Sequence, residues 1–313
     1  MPSLSWPLLR TRTTPREPRE PREPRVDPRD PASVLRAHPV LLLAGPPADV
    51  MVRRLLQTWN PCAELPQVAE GVRWAGPFRL DAVGAAEAGL PVGWSTAYAA
   101  QTVRSRMRVP DGIGAEELRR RFPHGMPTGT EAVAWSLVSG LARRLDGAAR
   151  LPAGDGGRAR HPVFSPRGRG GRAANELVVL RPRKQRNTYC VYGNEALPWS
   201  MLCSVLRRYL PELDLNGALA ADDYCLDRAD GFEVRVEPFR DGGFLPYALR
   251  PRATPGWPCT VYRFRALPQS RAKDAERIDV QLRGAAFHLA DVVGGMSVDG
   301  EGFPVTAPVP AQI

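Results

Sequence analysis

Arg104, Arg106 and Arg108 occupy every second position of a stretch in which Val103, Ser105, Met107 and Val109 alternate with them. In a strand that spacing sets three guanidinium groups on one face at ~7 Å intervals, a row able to track phosphates. Sheet-face RNA binding also needs aromatic stacking residues, and Gln101 to Val109 holds no Phe, Tyr or Trp. A solvated or acid-paired arginine face is therefore the competing reading. The second basic candidate is Arg167-Gly168-Arg169-Gly170-Gly171-Arg172, which resembles an RGG-type segment, continued by Arg183, Lys184 and Arg186. Guanidinium groups on so flexible a chain pair with phosphates and stack on bases.

The remaining candidates carry less. Gly93-Trp94-Ser95-Thr96-Ala97 approaches a Gly-x-Ser-x-Gly nucleophile elbow, but that turn needs a strand before it and a helix after it, and the flanking sequence offers neither. Asp222, Asp223, Asp227, Asp230, Glu233 and Glu237 form an acidic cluster without the alternating register of a calcium loop, and read as a solvated hairpin. His288, between Phe287 and Leu289, reads as a packed histidine rather than an axial ligand. The other histidines, His38, His124 and His161, occupy no recognisable base position. There is no P-loop, dinucleotide fingerprint or His-Glu-x-x-His motif. No catalytic residue, cofactor or metal ligand is assigned from sequence.

The elements that would position these residues fall into two series. Val40 to Ala44 is an apolar run of the kind that forms a strand buried on both faces. A helix follows on Met51, Val52, Leu55, Leu56 and Trp59, then strands at Val72 to Val83, broken by Gly76-Pro77, and at Ala100 to Val109. A helical piece spans Ala115 to Phe122. Thr128-Gly129-Thr130-Glu131 fits a capping box opening a helix on Val133, Leu137, Val138, Leu141 and Leu145. A short strand, Ala148 to Leu151, closes the series. The second series begins with a strand at Leu177 to Leu180 and treats Tyr189 to Tyr192 as an extra piece. It continues through a helix at Leu197 to Leu210, a hairpin around Asp230-Gly231, a strand at Thr260 to Ala266, a helix at Arg271 to Val293 and a strand from Met296.

Both series read β-α-β-β-α-β, so the expected fold class is α+β: two tandem ferredoxin-like halves from an internal duplication. Met51 to Leu56 aligns with Val205 to Leu210, and Leu141 to Gly147 with Leu289 to Gly295. The expected boundaries are a disordered Pro-Arg-Glu tail (1–36), a first half (37–152), an Arg/Gly-rich linker (153–175) and a second half (176–313). Each sheet is expected to be covered on its second side, with the opposite half as the candidate cover.

The 313-residue chain carries a net charge of +10, unevenly placed. Residues 1–37 contribute +3 and residues 150–186 contribute +8, leaving −1 for the rest, so the body is not uniformly basic. Only Lys184 and Lys273 among the 43 basic residues are lysine, which marks a compositional bias and weakens any argument from arginine alone. Five cysteines without a Cys-x-x-Cys pair fit a reducing cytoplasm. The apolar stretch Trp6 to Leu9 is too short for a signal peptide, and Val40 to Ala44 is far below the ~20 residues of a membrane span. The expectation is a non-catalytic cytoplasmic binding or protein-interaction module, with a protein partner favoured, nucleic acid as an alternative and no membrane. An enzyme with its site between the halves is the other alternative, and it requires a histidine or paired carboxylates there.

Overall fold

The structure is a computed structural model that describes residues 30–45, 49–112, 115–152, 163–164, 188–210, 224–227, 232–239, 244–266 and 272–307. The first part of the chain runs through α1 (Pro31–Ala37), β1 (Val40–Leu43), α2 (Asp49–Trp59), β2 (Gln67–Ala69), β3 (Val72–Arg79), α3 (Ala82–Glu87) and β4 (Thr96–Gln101). It continues with β5 (Arg106–Met107), α4 (Ala115–Arg121), β6 (Met126–Pro127), α5 (Gly129–Arg144), β7 (Ala148–Arg150) and β8 (Val163–Phe164). Six of the strands form an antiparallel sheet of order β2-β3-β4-β1-β7-β8, while β5 and β6 pair separately.

β1 is apolar throughout because it lies between two helical layers. Leu41 and Leu43 pack with Leu56, Leu137 and Leu141 of α2 and α5, while Val40 and Leu42 meet Val34 and Leu35 of α1 and Ala85 of α3. The second side of this sheet is thus covered by its own half, not by the opposite one. The segment assigned to the tail, as far as residue 36, contains most of α1. Asp30 caps that helix, accepting from the Ala32 and Ser33 N–H groups at 3.0 Å each, and Pro31 supplies a preset first-turn φ. The rest of the expected disordered tail, 1–29, lies outside the described residues.

Arg150 on β7 is the largest fully buried side chain. Its guanidinium donates to the carbonyls of Leu35 (2.9 Å), Arg36 (3.4 Å) and Ala88 (3.4 Å), so one cation gathers the carbonyl ends of α1 and α3. Burial lowers its pKa to about 10, still high enough to keep it charged at neutral pH.

The second part comprises β9 (Thr188–Gly193), α6 (Trp199–Arg207), β10 (Tyr224–Asp227), β11 (Phe232–Pro238), a 3-10 helix (Tyr247–Arg252), β12 (Thr260–Ala266), α7 (Ala272–Val292) and β13 (Met296–Asp299). Its sheet, also antiparallel, has the order β10-β11-β12-β9-β13. The segment taken as an extra piece, Tyr189 to Tyr192, is therefore an interior strand, paired with β12 on one side and β13 on the other. The expected strand at Leu177 to Leu180 lies outside the described residues, as does the expected linker at 153–175 except for residues 163–164, which form β8 and pair with β7. α6 and α7 cover one face through Leu202, Leu206, Leu282 and Leu289, and Leu249 of the 3-10 helix packs with Cys190, Tyr192, Val261 and Val298 on the other.

Matching details recur in the two sheets. The Leu43 carbonyl accepts the Ser95 N–H at 3.0 Å and the Ser95 carbonyl accepts from Leu80 at 2.9 Å; the Gly193 carbonyl accepts the Cys259 N–H at 3.1 Å and the Cys259 carbonyl accepts from Phe239 at 2.8 Å. α5 ends with the Gly147 N–H on the Ala142 carbonyl and α7 with the Gly295 N–H on the Ala290 carbonyl, both at 2.8 Å. The preceding residues, Asp146 and Gly294, turn through φ of 52° and 57°. A Cβ on Gly147 would meet the Leu42 carbonyl oxygen at 2.5 Å, and one on Gly295 would fall on the Tyr192 carbonyl oxygen. Leu42 and Tyr192 occupy the same place on β1 and β9, paired with Ala148 and Met296 just after those glycines.

Candidate binding cleft

The arginine row does not form. The strand expected over Ala100 to Val109 ends at Gln101, and Val103 and Met107, placed on its buried face by the alternation, are 61% and 47% exposed. Arg106 turns inward, with 9% of its side chain exposed, onto a Glu131 carboxylate that is 1% exposed. Arg106 Nη2 lies 2.7 Å from Glu131 Oε1 and 2.7 Å from the Pro152 carbonyl, and Nε is 3.1 Å from the same carboxylate oxygen. Arg108 is exposed, while Arg104 is half-buried and lowers the pKa of the neighbouring His38 and His124, in each case after desolvation. The same contact corrects the expected capping box. The Glu131 carboxylate accepts the Ser105 N–H at 3.0 Å instead of reaching back to Thr128, and the Thr128 hydroxyl bonds Ser105 Oγ at 2.7 Å without capping α5. Charge-assisted pairing with Arg106 prevails over the local cap. Arg167, Arg169, Arg172, Arg183, Lys184 and Arg186 lie outside the described residues.

Of the other sequence candidates, His161, Asp222, Asp223 and Asp230 lie outside the described residues. Ser95 sits beside the end of β1, its hydroxyl 3.5 Å from the Leu43 carbonyl, and a strand follows it where an elbow would need a helix. His288 packs against the Tyr209 ring at 5.6 Å. Glu237 is shared between Arg235 (3.2 Å) and Arg263 (3.4 Å), which face each other across β11 and β12. Among the described residues no three His, Cys, Asp or Glu side chains converge as a metal site would require.

Sequence reading placed a site between the halves only as the enzyme alternative and named none of the residues at their junction. Trp59, the last residue of α2, stacks on Tyr247 of the 3-10 helix with ring centroids 4.8 Å apart, and its indole N–H donates to the Glu301 carbonyl at 2.9 Å. Glu301 belongs to the turn after β13, which Asp299 organises by accepting from the N–H groups of Glu301 (3.1 Å) and Phe303 (3.0 Å). Phe303 enters a notch that Gly140 leaves on α5, where a Cβ would stand 2.5 Å from its ring. Arg144 lies over the Phe303 ring at 3.7 Å and pairs with Asp299 at 2.5 Å, and Arg143 pairs with Glu301.

Beside this turn lies a cavity of about 540 Å³. Trp59, Val133, Phe244, Tyr247 and Val298 give it apolar walls, and Ala132 and Ser136 of α5, Cys190 and Tyr192 of β9 and Arg263 of β12 complete much of the rest. Burial pushes the Cys190 thiol and the Tyr192 phenol up, so both are neutral at physiological pH. A second cavity of about 480 Å³, lined by Arg143, Arg144, Arg283 and Asp299 among others, flanks the turn on its other side. The residues forming the larger cavity are separated by up to 243 positions, so no local motif announces it. The aromatic residues Trp59, Phe244 and Tyr247 are its trace in the sequence. No protein-family model, curated protein or solved structure matches the chain.

Proposed function

We propose that this chain is a non-catalytic cytoplasmic binding module, made of two ferredoxin-like halves descended from one duplicated unit, with the cleft at their junction as its recognition site. The shared strand order and the matched Gly147 and Gly295 closures support the duplication. The four described free thiols, Cys62, Cys190, Cys203 and Cys259, fit a reducing compartment, and no helix among the described residues is long and apolar enough to cross a membrane.

One observation carries the functional reading: the carboxylates at the junction are structural. Asp299 and Glu301 are each engaged by an arginine of the opposite half, and no histidine is among the described residues lining the cleft. What remains is an apolar, aromatic-walled cavity with few polar groups, of the size and character of a ligand pocket. The nucleic-acid alternative loses Arg106 to Glu131 and would have to rest on Arg104, Arg108 and the basic segment beyond them.

The neutral dye Nile red tests the reading. Saturable fluorescence enhancement is expected with the wild-type chain and loss of it with Ala132→Trp, which fills the cavity from the surface of α5. Equal enhancement in both proteins, or none in either, overturns the cleft as the recognition site.

A further inference from the structure

We propose that the junction cleft selects an organic carboxylate attached to an aromatic or similarly apolar body, the carboxylate paired with Arg263 and the apolar part lying against Trp59, Phe244 and Tyr247. The inference rests on the cleft being a binding site and adds the chemistry of what it takes.

The argument begins with the charges that line the cavity: Arg263, Asp299 and Glu301. Asp299 pairs with Arg144 and one Glu301 oxygen with Arg143, while the second Glu301 oxygen, Oε2, is buried without a hydrogen-bond partner and out of a ligand's reach. Arg263 is placed differently. Its Nε faces Glu237 at 3.4 Å, but that carboxylate is shared with Arg235, the residue directly across the ladder. Its Nη1 lies 4.0 Å from Cys190 Sγ, a thiol that burial keeps neutral and that cannot balance the guanidinium. The contacts of its guanidinium with Glu237 and Cys190 run through Nε and Nη1, and about half of the side chain is exposed. A planar carboxylate matches the donor fork that Arg263 offers to the cavity.

The aromatic residues of the lining define the rest of the ligand, with Tyr247 held between Trp59 and the Arg250 guanidinium, 3.8 Å over its ring. Trp59 and Tyr247 are already stacked and nearly buried, whereas Phe244 is 59% exposed and meets Tyr247 edge-on, with ring centroids 6.0 Å apart. An exposed phenyl ring at the mouth of an apolar cavity is covered by a ligand ring that inserts beside it. The same chemistry occurs in a free aryl acid and in the C-terminal aromatic residue of a partner protein. The cavity volume admits either.

The test uses the full chain and three probes: 2-naphthoate, its neutral counterpart 2-naphthamide, and an acetylated tripeptide ending in phenylalanine with a free carboxylate. The wild-type protein should bind 2-naphthoate about tenfold more tightly than 2-naphthamide, a ratio that falls towards one in Arg263→Gln and for which Ala132→Trp removes both partners. A tripeptide that binds more tightly than naphthoate assigns the carboxylate to a protein terminus, and a weaker one assigns it to a small acid. Equal affinity for acid and amide, unchanged by Arg263→Gln, overturns the carboxylate assignment while leaving the cleft as a binding site. Failure of all three probes in a protein that does bind Nile red also overturns it, and failure of Nile red as well overturns the cleft itself.

Discussion

Trp59 and Tyr247, 188 positions apart in the chain, stack at 4.8 Å and join the last turn of α2 to the 3-10 helix of the second half. Because the Trp59 indole also donates to the Glu301 carbonyl, one side chain touches two separate segments of the other half and floors the cleft between them. Trp59→Ala should therefore cost about 3–5 kcal/mol. If the junction couples the halves, both should still unfold in a single transition in the wild type and in two in the variant. Calorimetry distinguishes these outcomes, and a single unchanged transition in Trp59→Ala would count against the junction as a structural element.

Arg106 and Glu131 form a buried pair whose members need each other. Removing the carboxylate with Glu131→Ala leaves a guanidinium stranded at 9% exposure and should cost about 3–5 kcal/mol in urea unfolding. Replacing both residues with leucine removes the desolvation penalty on both sides, so the double variant should be more stable than Glu131→Ala. A double variant that is less stable than the single one would contradict this account.

Gly147 and Gly295 are predicted to respond alike. In each, an alanine methyl would collide with the carbonyl of the first strand of its sheet, and a backbone carbonyl in an interior strand cannot move aside. Each glycine-to-alanine change should cost about 3 kcal/mol, near the upper range for overpacking. Gly89, where a Cβ would meet nothing within 4 Å although φ is 61°, should tolerate alanine better and serves as the control.

His38 gives the protein a pH dependence. Burial lowers its pKa below the ordinary 6.5, and its Nδ1 accepts the Thr102 N–H at 3.3 Å in the neutral form. The folded state thus disfavours the proton that the unfolded state binds at 6.5. The corresponding stability is present above that value and is lost as pH falls through the lower folded-state pKa. Urea midpoints from pH 7.5 to 5 should fall in the wild type and fall less steeply in His38→Gln. His124, also lowered by desolvation, leaves a residual slope in the variant.

Much of the layered architecture was legible because periodicity records burial. The unbroken apolar run of β1 reports helices on both faces, and the stripe along α5 reports one. Legibility failed where long-range chemistry displaced a local preference. Arg104, Arg106 and Arg108 alternate like a strand face, yet a Glu131 placed 25 residues downstream of Arg106 draws that side chain inward and ends the alternation. Asp30-Pro31 is a helix-start signal, but it closes a run of Pro-Arg-Glu repeats and was absorbed into them. The cleft was hidden most completely, since α2, α5, β9, β12 and the turn after β13 contribute one or a few residues each and none is distinctive alone.

The central claim is that the cleft at the Trp59–Tyr247 junction is where this protein binds. The most direct measurement is the indole N–H spectrum of the ¹⁵N-labelled chain, with the Trp59 signal assigned by Trp59→Phe, during titration with 2-naphthoate. The other six of the seven tryptophans provide internal controls. The account predicts that the Trp59 signal shifts saturably and by more than the other six; binding that leaves Trp59 unmoved while another indole shifts would contradict it.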